Sequence, residues 1–164
     1  DFVDGAYYDG EWTDGAFDGV GERVWPDGDR YFGDWRSGER HGQGIMEWPR
    51  RGWRYEGGWE NDKRHGRGSM DYGDGESYVG GWRNDEFHGR GRYVWESGET
   101  YDGDWKDGRR EGQGEFQFAN GEIYQGGWKY DRREGRGTTI TRDGGKRVAD
   151  WTRDKEVEVL SVTK

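Results

Sequence analysis

Three histidines, His41, His65 and His88, are the obvious candidates for metal chemistry in this chain, and Asp and Glu are plentiful enough to suggest acid–base catalysis. Neither idea survives their spacing. The histidines recur in the same phase of an internal repeat, so stacked hairpins would hold them ~10 Å apart. Ligands of one zinc ion must each approach to ~2 Å, so the three cannot share an ion. The carboxylates scatter over turns and one sheet face and form no defined pair. There is no phosphate-loop motif, no nucleophile constellation and no cysteine. The expectation is therefore no enzyme, no cofactor and no metal. The residues that remain able to do chemistry are aromatic: 11 Trp and 10 Tyr, which can bury surface, stack and recognise.

Those rings are set in an unusual background. The chain has 33 Gly and 2 Pro, 37% charged residues and a net charge of −9. Leu, Ile, Val and Phe together number only 19, an aliphatic content usually associated with disorder in a highly charged chain. The aromatic content opposes disorder and predicts a core built from rings. The missing cysteines fit an intracellular protein with no disulfide scaffold. No apolar run approaches a membrane span, and nothing resembles a secretion signal. The acidic balance argues against nucleic acid.

The elements that position the rings follow from a repeat. Tyr-x-Gly-x-Trp begins at Tyr8, Tyr31, Tyr55, Tyr78, Tyr101 and Tyr124, in steps of 23, 24, 23, 23 and 23 residues. Counting each Tyr as position one, positions three, twelve and fourteen are Gly in all six copies and position five is Trp. The one extra residue lies in Pro49–Arg54, between hairpins, where insertion is tolerated. Each repeat reads as a β-hairpin with strands at about positions one to seven and twelve to eighteen around a four-residue turn. That turn pairs positions whose numbers sum to nineteen, setting each Trp opposite the Gly of position fourteen. The glycine is then a receptacle for the indole. One face is aromatic. The other is polar, as in Asp102, Asp104, Lys106, Gln113, Glu115 and Gln117.

These columns resemble the MORN (membrane occupation and recognition nexus) repeat, with His41-Gly42-Gln43-Gly44, His65-Gly66-Arg67-Gly68 and His88-Gly89-Arg90-Gly91 the closest matches to its His-Gly-x-Gly. The resemblance implies an all-β fold: an elongated, single-layer, twisted antiparallel sheet of successive hairpins. Residues 1–7 read as the tail of a preceding partial repeat, 8–146 as six repeats, and 147–164 as a degenerate capping repeat with a terminal strand. It also implies a scaffold or adaptor in a cytoskeletal, ciliary or membrane-contact assembly, located in the cytoplasm.

A single-layer sheet leaves its aromatic face to curl on itself or to bind. The expected protein-binding groove is floored by Trp48, Tyr72, Trp95 and Phe118 beside Met46, Met70, Tyr93 and Phe116, and walled by Tyr31, Tyr55, Tyr78 and Tyr101. A helix or extended peptide would fill it. Trp12, Trp35, Trp59, Trp82, Trp105 and Trp128 are the expected structural core. A basic ridge of Arg40, Lys63, Arg64, Arg67, Arg90, Arg109, Arg110, Arg132, Arg133 and Arg136 would face an acidic partner or lipid. Interleaved carboxylates and the net charge weigh against lipid. The alternatives are an acidic-phospholipid tether, a regulatory domain of a larger enzyme, or a glycan- or choline-binding repeat. Exposed terminal edges would allow a homodimer. The sequence does not identify the protein partner.

Overall fold

The structure is a computed structural model, described here for residues 5–163. It divides at Glu86/Phe87 into two compact units. The first contains β1 (Tyr7–Thr13), β2 (Ala16–Val24), β3 (Arg30–Arg36), β4 (Glu39–Trp48), β5 (Trp53–Glu60), β6 (Lys63–Gly73) and β7 (Glu76–Arg83). The second contains β8 (Glu86–Val94, its first residue in the first unit), β9 (Thr100–Lys106), β10 (Arg109–Gln117), β11 (Ile123–Lys129), β12 (Arg132–Ile140), β13 (Lys146–Thr152) and β14 (Lys155–Thr163). Within each unit every strand pairs antiparallel with its sequence neighbour, so both are all-β, single-layer, hairpin-built sheets. Phe2 and Val3, assigned to a preceding repeat, lie outside the described residues. Of residues 147–164, the described ones, 147–163, form most of a seventh hairpin, β13–β14.

The expected register is wrong by two residues. Tyr31 pairs with Met46 and Gly33 with Gly44, so positions sum to seventeen, and Trp35 pairs with Arg40. The cause is the turn, which is two residues long rather than four. Positions seven and eight both take positive φ: Ser37 49° and Gly38 86°, Asn61 49° and Asp62 65°, Asp107 49° and Gly108 76°. This is the I′ geometry whose twist matches the flanking strands, and Asn, Asp and Gly are the residues that tolerate it. Position ten, assigned to the turn, is therefore in the strand.

Gly42, at position twelve, lies in a bulge that leaves it and Gln43 without partners on β3. Its φ is +59°, and Gly66 and Gly112 on the same column have +74° and +95°. This glycine column is conformational. The acidic side chain of position four caps the bulge, with the Gln43 amide donating to Asp34 Oδ2 at 2.7 Å and that of Gln113 to Asp104 Oδ2 at 2.9 Å. These carboxylates of the polar face are structural.

Positions three and fourteen have a different reason to be Gly. They face each other across the hairpin, and the Tyr of position one lies over both. A Cβ at Gly44 would fall inside contact distance of the Tyr31 phenol, and one at Gly33 would collide with Gly44 Cα. The receptacle thus takes a phenol, and the indole goes elsewhere.

Candidate docking surface

The aromatic face is a ladder whose rungs are shared between adjacent repeats. Tyr31 meets its own Trp35 edge-on at 5.0 Å and Trp59 of the next repeat at 5.3 Å. Tyr55 stands in the same way between Trp59 and Trp82, and Tyr101 between Trp105 and Trp128. Edge-to-face pairs at this separation add ~0.5–1.5 kcal/mol each beyond area burial. From Trp35 to Trp128 the indole N–H donates to the position-fourteen carbonyl of the repeat before it, as Trp59 does to Gly44 at 3.2 Å and Trp105 to Gly91 at 3.0 Å. Each phenol donates to the carbonyl three residues on, as Tyr55 does to Gly58 at 3.0 Å.

The groove wall is therefore absent. Tyr31, Tyr55, Tyr78 and Tyr101 are fully buried, as is Tyr124. Met46, Met70 and Phe116, placed on the groove floor, are also buried. Rings from two repeats surround the Tyr31–Met46, Tyr55–Met70 and Tyr101–Phe116 pairs. Trp35, Trp59, Trp82, Trp105 and Trp128 are buried with them, but Trp12 is 53% exposed. It lies on β1, with no described strand before it to supply a Tyr and a carbonyl.

Burial pushes the phenols of Tyr31, Tyr55, Tyr78 and Tyr101 well above the usual range and that of Tyr124 up to about 12. An acid whose folded pKa is raised favours its neutral form in the fold. The stabilisation is complete below the ordinary value of 10.0 and is lost as pH rises through the folded values. Equilibrium unfolding is therefore expected to show constant phenol-linked stability up to about pH 9 and a steep decline above pH 10. A flat profile to pH 12 would contradict the burial.

The ridge arginines are not free either. Arg40, Arg64, Arg110 and Arg133 lie over the Trp of the following repeat, at 4.4, 4.3, 4.4 and 3.7 Å from the ring centroids. Each also pairs with the second turn residue of that repeat: Arg40–Asp62 2.9 Å, Arg64–Asp85 2.9 Å, Arg110–Asp131 3.3 Å and Arg133–Asp154 3.2 Å. Their side chains are only 20, 20, 18 and 23% exposed. Where position ten is Phe17 or Phe87, the facing turn residue is Gly38 or Gly108, whose amide donates to the Phe carbonyl. The Phe ring then takes the guanidinium's place against Trp35 or Trp105, at 5.1 and 5.2 Å. This Arg–Asp and Phe–Gly exchange was legible in the sequence as a correlation across 21 or 22 residues, and hairpin-by-hairpin reading missed it. Among the other ridge residues, Arg90 pairs with Asp102 and Asp104, and Arg136 with Asp150, on the polar face. Arg67 is exposed on that face, and Lys63, Arg109 and Arg132 are exposed beside the two-residue turns.

What stays open on the aromatic face lies at the opposite edge, beside the return turns. In the first unit Trp25, Trp48, Trp53 and Tyr72 are half-buried. Trp48 pairs with Trp53 across the strands, and Trp53 meets Tyr72 edge-on at 5.5 Å. In the second unit Tyr93, Trp95 and Phe118 are half-buried, with Tyr93 and Trp95 at 4.6 Å.

The other face is not uniformly polar. Val20, Phe32 and Val79 of the first unit are 47, 54 and 58% exposed, and Phe32 pairs with Ile45. Val20, Phe32 and Ile45 line a depression of about 360 Å³. Positions two, thirteen and fifteen of the early repeats signalled this, but repeat five, which is polar there, stood for all. Its counterpart in the second unit, about 580 Å³, is lined mainly by Arg90, Asp102, Gln113, Glu115, Gln125 and Arg136.

An aromatic ladder on Gly-x-Gly hairpins defines a class of repeat proteins, and the comparisons agree. The MORN repeat pattern matches residues 8–30, 31–52, 55–77, 78–100, 101–123 and 124–146, and the chain belongs to that family. No match was found among curated protein sequences. Among solved structures, the chain is similar to the TCP domain of Drosophila melanogaster SAS-4 in complex with a proline-rich motif of Ana2. Identity there is 14%, with 98% of this chain and 93% of that one covered and a TM-score of 0.47. It is also similar to the TCP10 domain of Danio rerio CPAP in complex with a STIL peptide, at 13% identity, 99% and 91% coverage and a TM-score of 0.34.

Proposed function

We propose that this chain is a non-catalytic docking module that holds an extended or helical segment of a protein partner against the return-turn edge of its aromatic face. The observation that carries this reading is the half-exposed aromatic row, Trp48, Trp53 and Tyr72 in one unit and Tyr93, Trp95 and Phe118 in the other. These rings rest on a fully buried Tyr–Trp ladder, so they form a rigid surface that a ligand does not have to order. Aromatic anchors of this kind dominate binding energy at interfaces. A role as a scaffold in a cytoskeletal or membrane-contact assembly rests on the family alone.

The test uses Trp48→Ser/Tyr72→Ser and Trp95→Ser/Phe118→Ser, each confirmed folded by thermal melting. A protein captured by the wild type is purified, and its binding segment is titrated calorimetrically. At least one variant should bind about tenfold more weakly or worse. If both bind like the wild type, the aromatic face is packing only, and the Val20–Phe32–Ile45 depression becomes the docking surface.

A further inference from the structure

The two-residue-turn edge differs sharply between the units. At positions six, seven and nine the second to fourth repeats alternate in sign: Arg36, Glu39, Glu60, Lys63, Arg83 and Glu86. The same positions of the fifth to seventh hairpins hold six cations and one carboxylate, Asp107. Four of those cations, Arg109, Lys129, Arg132 and Arg153, line a single concavity of about 360 Å³ with Tyr130 and Glu134. In a chain of net charge −9 this is a local reversal of sign.

The nearby carboxylates offset it only in part: Glu134 is one anion among the four lining cations, and the others are held elsewhere. Glu134 Oε2 accepts the Arg153 amide at 3.0 Å, and Glu111 Oε2 accepts the Tyr130 amide at 3.0 Å. Asp131 is clamped to Arg110 and Asp154 to Arg133. Asp107 lies 3.6 Å from His88 Nδ1. None of the four pocket cations forms an ion pair among the described residues. Tyr130, 61% exposed, occupies a turn position at φ 49° where the other hairpins place Asp, Ser, Asn or Arg. Arg109 and Lys129 lie 5.9 and 6.0 Å from its ring.

We propose that this pocket binds a phosphorylated segment of a protein partner, its phosphate held by the guanidinium groups of Arg109, Arg132 and Arg153. Planar guanidinium forks match phosphate oxygens in geometry as well as charge. Lys129 adds a point charge, and the Tyr130 ring walls the pocket beside the phosphate-bearing residue. A pocket this small fits a single phosphate-bearing side chain. The chain's net charge of −9 disfavours a flat anionic membrane, because screening at physiological salt leaves repulsion over ~8 Å. The site lies at the opposite strand ends from the aromatic row, so it stands or falls separately from the docking reading.

The probe is a short Gly/Ser-rich peptide carrying phosphoserine, titrated calorimetrically against the whole chain, with its unphosphorylated form in parallel. The phosphopeptide should bind at least about tenfold more tightly, weakening as salt rises. Arg132→Gln/Arg153→Gln should abolish that preference while melting like the wild type. Arg92→Gln, which removes an exposed cation outside the pocket, should preserve it. No preference for the phosphopeptide overturns the proposal, as does an equal loss in Arg92→Gln. Phosphatidylserine vesicles retained by the wild type but not by the double variant, with no phosphopeptide binding, would make the pocket a membrane contact instead.

Discussion

Tyr55→Ala is expected to destabilise the first unit by about 3–5 kcal/mol, the range for large aromatic truncations in a core. Tyr55 is fully buried and meets Trp59 at 5.2 Å and Trp82 at 5.3 Å. Its hydroxyl donates to the Gly58 carbonyl, and Arg64 lies 5.8 Å from its ring. Truncation removes packing from two repeats at once, because neighbouring repeats share the ladder. In a stacked array stability is largely the sum of such neighbour interfaces. The measurement is denaturant unfolding followed by near-ultraviolet circular dichroism, with Tyr72→Ala, half-buried at the return-turn edge, as the comparison. Tyr72→Ala is expected to cost clearly less. Equal costs would mean that the phenol column carries no more of the core than the edge row.

The second large effect is at Gly68. A Cβ there would fall inside contact distance of the Tyr55 phenol, whereas one on the facing Gly57 would collide with the Gly68 backbone. Gly68→Ala is expected to cost about 3 kcal/mol or more, at or beyond the upper end of ordinary overpacking. Gly66→Ala isolates the other role of glycine. Gly66 has φ +74° with no atom within 4 Å of a would-be Cβ, so only the left-handed conformation is penalised, at about 1–2 kcal/mol. The two effects separate in a double-mutant cycle. In a Tyr55→Ala background the space beside Gly68 is open, so Gly68→Ala should become much milder while Gly66→Ala stays the same. If Gly68→Ala costs as much without the phenol as with it, the glycine is not there to receive the ring.

Much of the architecture could be read from residue order. Identical columns at a fixed step define repeats, alternation defines a face, and a Gly-rich, aromatic-rich composition leaves only rings to build a core. Hence the hairpins, the aromatic face, the family and the buried Trp column from Trp35 to Trp128 were available before any coordinates.

The register was not, because it turns on whether Asn61-Asp62 or Ser37-Gly38 adopts positive φ at both residues. A one-turn choice moves every partner on the strand. That choice seats the phenol over the glycines of positions three and fourteen, and it brings Arg40, Arg64, Arg110 and Arg133 out of the turns and onto the indoles. The fate of Tyr31, Tyr55, Tyr78 and Tyr101 was likewise hidden. A residue half-covered by its own hairpin, such as Tyr31, becomes fully buried only when the next repeat adds its Trp, here Trp59. Burial of this kind is a property of neighbouring repeats, and the sequence of one repeat does not contain it. The free cations around Tyr130 were decided in the same way. Their formal charges are plain in the sequence, but only the tertiary contacts tie Asp131 and Asp154 to other arginines and leave those four without an ion pair among the described residues.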